Sequence, residues 1–331
     1  MKGPSWWSCL SQETHTPLRD YFLVGGIKSA ISTNSEDILA AARDSFRLVI
    51  EPQVSPALVL RLWVNSAAHT GPPWLQAYFR GLDHLVYAGF DTQNMLLLDL
   101  REHRIIGHFS PAMARAKEYL QRVVFPTAFG LMSESLGVST LHCACVVRDG
   151  KGLLLAGESG AGKTTLSVAL ARNGFAFLSD DWTYFSQHDG QTLAWGLAAP
   201  VKLLPDAVEH FHELRNLEPA ISLNGERAYE VDPEQVFGVQ RSLCCKPRWL
   251  IFLERVGQAG HELVRMAPLE AAARLEFDLE DLPPELSHVR ESQQQIIRAL
   301  VKRECFLLRY GEPPQAVAQL LTQFCADREP L

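Results

Sequence analysis

Apolar and polar positions along the chain repeat in two ways, and the elements they predict divide it near residue 135. In the first part, short alternating or continuous apolar runs predict strands over 22–32, 57–64, 85–90, 95–100 and 104–109, each closed by polar or turn-forming residues. Between the first two, Ile38, Leu39, Ala42 and Phe46 recur at helical spacing behind a cap at Asn34-Ser35, predicting a helix over 37–46. Ser110-Pro111 predicts another helix start, a capping hydroxyl followed by proline in the first turn. That helix is expected to reach about residue 123, with a further helical stretch over 127–136.

In the second part the periods alternate. Strands over 142–147 and 152–156 are expected to form a hairpin around Asp149-Gly150, a dipeptide suited to the tight turn of paired strands. A helix over 163–172 follows and is expected to stop at Asn173-Gly174, where glycine accepts the left-handed conformation. Beyond it the pattern predicts a strand over 175–178, a hairpin of 182–187 with 192–197 around Asp189-Gly190, and a strand over 201–204. A helix from Asp206, strands over 249–253 and 262–266, two helices, a strand over 305–310 and a closing helix over 315–324 complete it. The fold class expected is mixed α/β, with a small mixed N-terminal domain over 1–135 and a larger domain over 136–331.

Composition narrows the function classes. With 47% hydrophobic and 21% charged residues, the chain has enough apolar material for a real core. A formal net charge of −7 argues against a general nucleic-acid partner, since phosphate backbones demand clustered Lys and Arg. No run approaches the ~18 apolar residues of a membrane span, and the first residues lack the apolar core of a signal peptide. A cytoplasmic protein is expected, with its seven cysteines reduced and structural; Cys143 and Cys145 share one face of a strand. A homo-oligomer is compatible with all of this.

The strongest local signal is the run Gly157-Glu158-Ser159-Gly160-Ala161-Gly162-Lys163-Thr164, the only G-x-x-x-x-G-K-S/T in the chain, set between an apolar strand and a helix. The glycines let successive backbone N–H groups curl around phosphate oxygens that side chains would obstruct. The helix N-terminus, with Lys163, Thr164 and Thr165, adds its partial positive charge. Lys163 is placed to reach the outer phosphates, and the Thr164 hydroxyl to ligate Mg²⁺. ATP and Mg²⁺ are the expected ligands.

Asp180-Asp181 follows seventeen residues after Lys163, at the end of the next strand. A short helix and a return strand bring that end back to the loop's edge of the sheet. Two carboxylates facing a triphosphate suit one acid on the metal and one accepting the proton of an incoming hydroxyl. The bland alternative is a turn or cap pair before Trp182.

The run LHCACVVRDGKGLLLAGESGAGKTTLSVALARNGFAFLSDDW, residues 141–182, resembles the catalytic domain of HPr kinase/phosphorylase: a histidine-led strand, a hairpin, the phosphate loop, a short helix, a glycine and an Asp-Asp pair. The resemblance implies the fold that this family shares with phosphoenolpyruvate carboxykinase, and an ATP-dependent kinase that phosphorylates a hydroxyl, serine foremost, of a protein, peptide or small molecule. It implies Lys163 and Thr164 at phosphates and metal, Asp180 as proton acceptor, Asp181 as the metal-side carboxylate, and a site role for His142. On residues alone, His142 reads as a core histidine. The N-terminal domain would then select the acceptor.

The chain also departs from that family. Its Glu-Ile-Arg-Gly signature and later Gly-Arg-Asn segment have no counterpart; residues 195–211 read WGLAAPVKLLPDAVEHF. Lys202 is either a solvated strand lysine or a cation for a phosphate or substrate. Two other functions stay open: a nucleotide-dependent switch or accessory module without kinase turnover, and a decarboxylating enzyme like phosphoenolpyruvate carboxykinase. Among weaker candidates, His210-x-His212 has the wrong spacing for shared metal ligation on a helix, and Glu254-Arg255 reads as a surface ion pair. Trp6, Trp7, Trp63, Trp74 and Phe79 read as N-terminal core or interface.

Overall fold

The computed structural model describes residues 15–49, 55–74, 77–188, 190–197, 199–222, 225–277, 279 and 287–328. The chain divides into two compact units, one ending at Leu136 and one beginning at Gly137. Both are mixed α/β. Trp6 and Trp7, and the Asp189 of the expected second hairpin turn, lie outside the described residues.

The N-terminal unit is a sheet of β1 (Leu18–Val24), β2 (Ile27–Thr33), β3 (Arg47–Leu48), β4 (Leu58–Val64), β5 (Tyr78–Leu82), β6 (Leu85–Gly89), β7 (Met95–Asp99) and β8 (Arg104–Phe109), in the order β3-β1-β2-β4-β8-β7-β6-β5. Residues 22–32 are therefore not one strand: Gly25 and Gly26, both at positive φ, fold them into the β1–β2 hairpin. Alternation did not mark β5, because all five of its residues are exposed.

Helix α1 (Glu36–Ser45) starts at Ser35, whose side chain makes no capping bond. Ser110 does cap, its hydroxyl accepting from the Met113 amide at 3.2 Å. The helix expected to reach about residue 123 is instead α2 (Pro111–Arg115), α3 (Lys117–Tyr119) and a π-helical turn over Leu120–Val124, whereas the second expected stretch, 127–136, is α4 (Phe125–Ser133) followed by a 3₁₀ turn over Glu134–Leu136. Phe46 packs its ring against Phe125 and Phe129, at centroid distances of 5.2 and 4.8 Å. Trp63 and Trp74 pack on His108 and Tyr119, whereas Phe79 is exposed.

The second unit holds the phosphate loop. Its sheet contains β9 (Val138–His142), β10 (Ala144–Arg148), β11 (Lys151–Ala156), β12 (Ala176–Ser179), β13 (Trp182–His188), β14 (Gln191–Trp195), β18 (Cys244–Arg255), β19 (His261–Arg265) and β20 (Glu304–Tyr310). The order is β12-β10-β11-β18-β14-β13-β9, with β20 pairing β18 and β19. The β10–β11 hairpin turns through Asp149 and Gly150, both at positive φ, as that dipeptide predicts. His142 closes β9 instead of opening the next strand; Cys143 lies between the two. A small separate sheet is made by β15 (Val201–Leu203), β16 (Ala220–Ile221) and β17 (Arg227–Val231), and short 3₁₀ turns replace the helix expected from Asp206.

Period-two alternation builds two cores from this one sheet. Leu153, Leu155, Trp249, Ile251, Leu253, Phe306 and Leu308 face α5 (Lys163–Arg172) and α9 (Pro314–Ala326). Leu154, Ala156, Leu250, Phe252, Cys305 and Leu307 face α7 (Pro268–Phe277) and α8 (Ser287–Leu300). Between the small sheet and β18 lies a one-turn helix, α6 (Pro233–Phe237). Each fully buried Leu, Ile or Phe contributes about 1.5–3 kcal/mol, so a strand with both faces covered is held without polar partners. Cys143 and Cys145 are buried in the same core layer, as expected.

Candidate active site

β11 and β18 run parallel, Ala156 beside Phe252, and β12 runs the same way because it and β11 are both antiparallel to β10. The C-terminal ends of β11, β12 and β18 thus share one sheet edge. The phosphate loop leaves β11 there and α5 begins at Lys163.

Loop geometry requires its glycines. Gly157, Gly160 and Gly162 have φ of 148°, 82° and 88°, a region side chains avoid. A Cβ on Gly157 would lie 2.7 Å from the Leu253 carbonyl oxygen, and one on Gly162 would lie 2.5 Å from the Tyr310 hydroxyl. The Tyr310 hydroxyl donates to the Ala161 carbonyl at 2.6 Å. Burial raises the Tyr310 pKa, so the group stays a donor. The N-cap of α5 is Gly162, which has no side chain to cap the first turn. Lys163 is buried and curls over the loop, its Nζ donating to the carbonyls of Gly157 at 2.7 Å and Glu158 at 3.2 Å. Glu158, Ser159 and Gly160 are exposed.

The acidic pair occupies the turn between β12 and β13. The Lys202 backbone amide and the Thr164 hydroxyl lie beside the Asp180 carboxyl and favour its ionised form. Burial, with the Asp181 charge beside it, outweighs them and raises its pKa to about 7. Asp181 is more exposed, and its Oδ1 lies 2.7 Å from His142 Nε2. That contact is possible because β9 and β13 pair with His142 opposite Trp182; the two rings lie 5.5 Å apart. Beneath the turn, the Ser179 and Thr183 hydroxyls are 2.6 Å apart, and Thr183 donates to the Cys143 carbonyl.

All the residues singled out in the loop, in the acidic pair and at His142 therefore lie in the second unit, and two contacts join them: Thr164 to Asp180, and Asp181 to His142. Lys202 enters differently from either reading of the sequence. Its side chain pairs with Glu226, and its main-chain amide is what meets Asp180. Tyr310 was not foreseen, since a tyrosine ending an apolar strand carries no local signal. Glu254 pairs with Arg309 at 3.4 Å, not with its neighbour Arg255. His212 contacts Glu213, and the His210 carbonyl accepts from Gln315.

Among the described residues, no group of three or more His, Cys, Asp and Glu side chains is arranged to hold a metal unaided. Mg²⁺ in triphosphate sites takes only one or two protein oxygens, phosphates and waters supplying the rest. The Thr164 hydroxyl beside the Asp180–Asp181 pair fits that demand, and the open glycine cradle fits a polyphosphate.

No protein-family model matches the chain. Among curated proteins, HPr kinase/phosphorylase of Bacillus mycoides (strain KBAB4) is 30% identical over 104 residues, covering 31% of this chain and 28% of that protein. HPr kinase/phosphorylase of Bacillus velezensis (strain DSM 23117 / BGSC 10A6 / LMG 26770 / FZB42) is 32% identical over 87 residues, covering 26% of each. This chain thus spans about a quarter of the length of the curated relatives that it matches. Among solved structures, the Hpr(Ser) kinase/phosphatase from Coxiella burnetii aligns over 57% of this chain and 92% of its own, with a TM-score of 0.33 and 15% identity. The resemblance to HPr kinase/phosphorylase is present in sequence, over about a third of the chain. No described helix is long and apolar enough to cross a membrane.

Proposed function

We propose that the protein is an ATP-dependent phosphotransferase that moves the γ-phosphate to a hydroxyl, serine foremost, of a protein, peptide or small molecule. The observation that carries this reading is the place of the Thr164 hydroxyl, on the phosphate-loop helix, beside the Asp180 carboxyl. It joins a polyphosphate cradle to a carboxylate that can take a proton.

In the proposed reaction the acceptor oxygen bonds to the γ-phosphorus as the bond from that phosphorus to the β–γ bridging oxygen breaks. The hydroxyl proton passes to Asp180 and ADP leaves. Lys163 and the first amides of α5 stabilise charge on the phosphate oxygens. Thr164 and Asp181 are the residues that would hold Mg²⁺, whose chemistry there is charge neutralisation on the triphosphate. His142 orients Asp181. Acceptor choice is assigned to the N-terminal unit.

Purified protein is expected to transfer γ-phosphate from labelled ATP to a hydroxyl acceptor drawn from a panel of free serine, seryl peptides and proteins. Asp180→Asn should abolish transfer while ATP still binds; full transfer by that variant sinks the role of Asp180. Tight ATP binding with no phosphorylated product from any acceptor would favour the switch or accessory module instead, a reading that the absent Glu-Ile-Arg-Gly signature supports.

A further inference from the structure

Against the phosphate loop lies a cleft of about 760 Å³, whose other walls the proposed reaction does not use. Loop residues 157–161 form one wall, the end of β18 from Phe252 to Arg255 forms the floor, and one face of α7 forms the other wall. It does not include Asp180, Asp181, His142 or Thr164.

Strand order places the cleft. β12, which delivers the two acids, and β18, which floors the cleft, lie on opposite sides of β11. A triphosphate along the loop with its γ-phosphate toward Asp180 therefore has its other end directed toward the cleft. The volume is within the roughly 300–1,000 Å³ usual for small-molecule sites.

The lining chemistry selects among occupants. Three carboxylates, Glu158, Glu254 and Glu270, outnumber two guanidiniums, Arg255 and Arg274. Glu270 already pairs with Arg274 at 3.6 Å, and Glu254 with Arg309. A second polyanion would need an excess of cations that this set lacks. A flat, uncharged, aromatic group needs an apolar surface instead, and Phe277 provides one. It lines the cleft at the end of α7 and is 85% exposed, so its ring face is open to a ligand. Arg274 lies over the Phe252 ring at 5.9 Å, adding a planar guanidinium on the same wall.

We infer that this cleft holds the nucleoside of the triphosphate, the base stacking on Phe277 beside Arg274. The inference rests on the phosphate-loop reading above. Ala273, exposed on the same face of α7, sets the width available to the base.

Tripolyphosphate separates the two claims, since it occupies a phosphate loop without a nucleoside. Titration calorimetry of the full chain with Mg²⁺-ATP and with Mg²⁺-tripolyphosphate is compared for wild type, Phe277→Ala and Ala273→Leu. The first variant removes the stacking surface and the second narrows the cleft, both at exposed positions that the fold does not need. Both should weaken ATP binding roughly 5- to 100-fold, the range of a lost base–aromatic stack, and leave tripolyphosphate binding unchanged. Unaltered ATP affinity in both variants, or an equal loss for ATP and tripolyphosphate, overturns the inference. Failure of both ligands to bind wild type overturns the phosphate-loop reading itself.

Discussion

Asp181 Oδ1 and His142 Nε2 are 2.7 Å apart, a contact between the end of one strand and the turn before its antiparallel partner. The contact draws Asp181 to one side of the turn while its neighbour Asp180 meets Thr164. Adjacent carboxylates thus have different partners, which is what a division of labour between them requires.

The pair should be energetically coupled. His142→Ala and Asp181→Asn are each expected to lower transfer at least about tenfold. The double variant should lose less than the product of the two losses, with coupling of about 0.5–3 kcal/mol typical of contacting residues. Strict additivity in kcat would show that the contact has no part in the reaction.

Tyr310→Phe deletes the hydroxyl that holds the Ala161 carbonyl and leaves the buried ring in place. One neutral hydrogen bond contributes about 0.5–1.5 kcal/mol, so Mg²⁺-ATP affinity should fall roughly two- to tenfold. The effect belongs to KM and Kd, because the loop that moves binds phosphate. Calorimetry showing wild-type affinity would assign Tyr310 to core packing alone.

Asp180 links stability to pH. Its carboxyl holds a proton up to about pH 7 in the fold, whereas in the unfolded chain it ionises near its ordinary value of about 3.9. Between these values the native state binds more protons than the unfolded state, so this group makes stability fall as pH rises from about 4 to about 7. In the metal-free protein, Asp180→Asn should flatten that part of the stability–pH curve measured by urea unfolding. A variant with the same slope as wild type refutes this account of Asp180.

Gly152 makes room for sulfur. The Cys145 and Cys245 Sγ atoms are 3.7 Å apart, and a Cβ on Gly152 would lie 2.5 Å from the second of them. The two cysteines stand on β10 and β18, which flank β11, so their backbones are about 9.5 Å apart at the usual strand spacing. That exceeds the reach of a disulfide, and the thiols are packing groups. Gly152→Ala should cost about 1–3 kcal/mol through overpacking. Adding Cys245→Ala should restore most of it; no rescue would place the strain elsewhere.

Several features were legible in the sequence because they depend on residues close together in the chain. The limits of α5 at Lys163 and Arg172 were expected from helical spacing and the Asn173-Gly174 stop, and those limits are observed. Asp149-Gly150 marked its turn because only certain residues tolerate two successive positive φ values. The approach of Asp180 to Thr164 followed from one short helix and one return strand. Local patterns misled where backbone context decided. Gly25-Gly26 broke a run that hydrophobicity alone read as one strand, and the helix after Ser110 broke into segments including a π-helical turn.

By itself the sequence determined the glycine cradle, the lysine and threonine at the helix start, and the spacing that returns two acids to them. These are consequences of steric freedom and chain length over a few tens of residues. Only the tertiary structure decided which partner each acid takes, that the Lys202 amide and the Tyr310 hydroxyl complete the site, and that a cleft opens beside β18. Those contacts join residues far apart in sequence, and they form because parallel pairing of β11 with β18, and of β18 with β20, brings separate strand ends to one edge. No local pattern encodes that pairing.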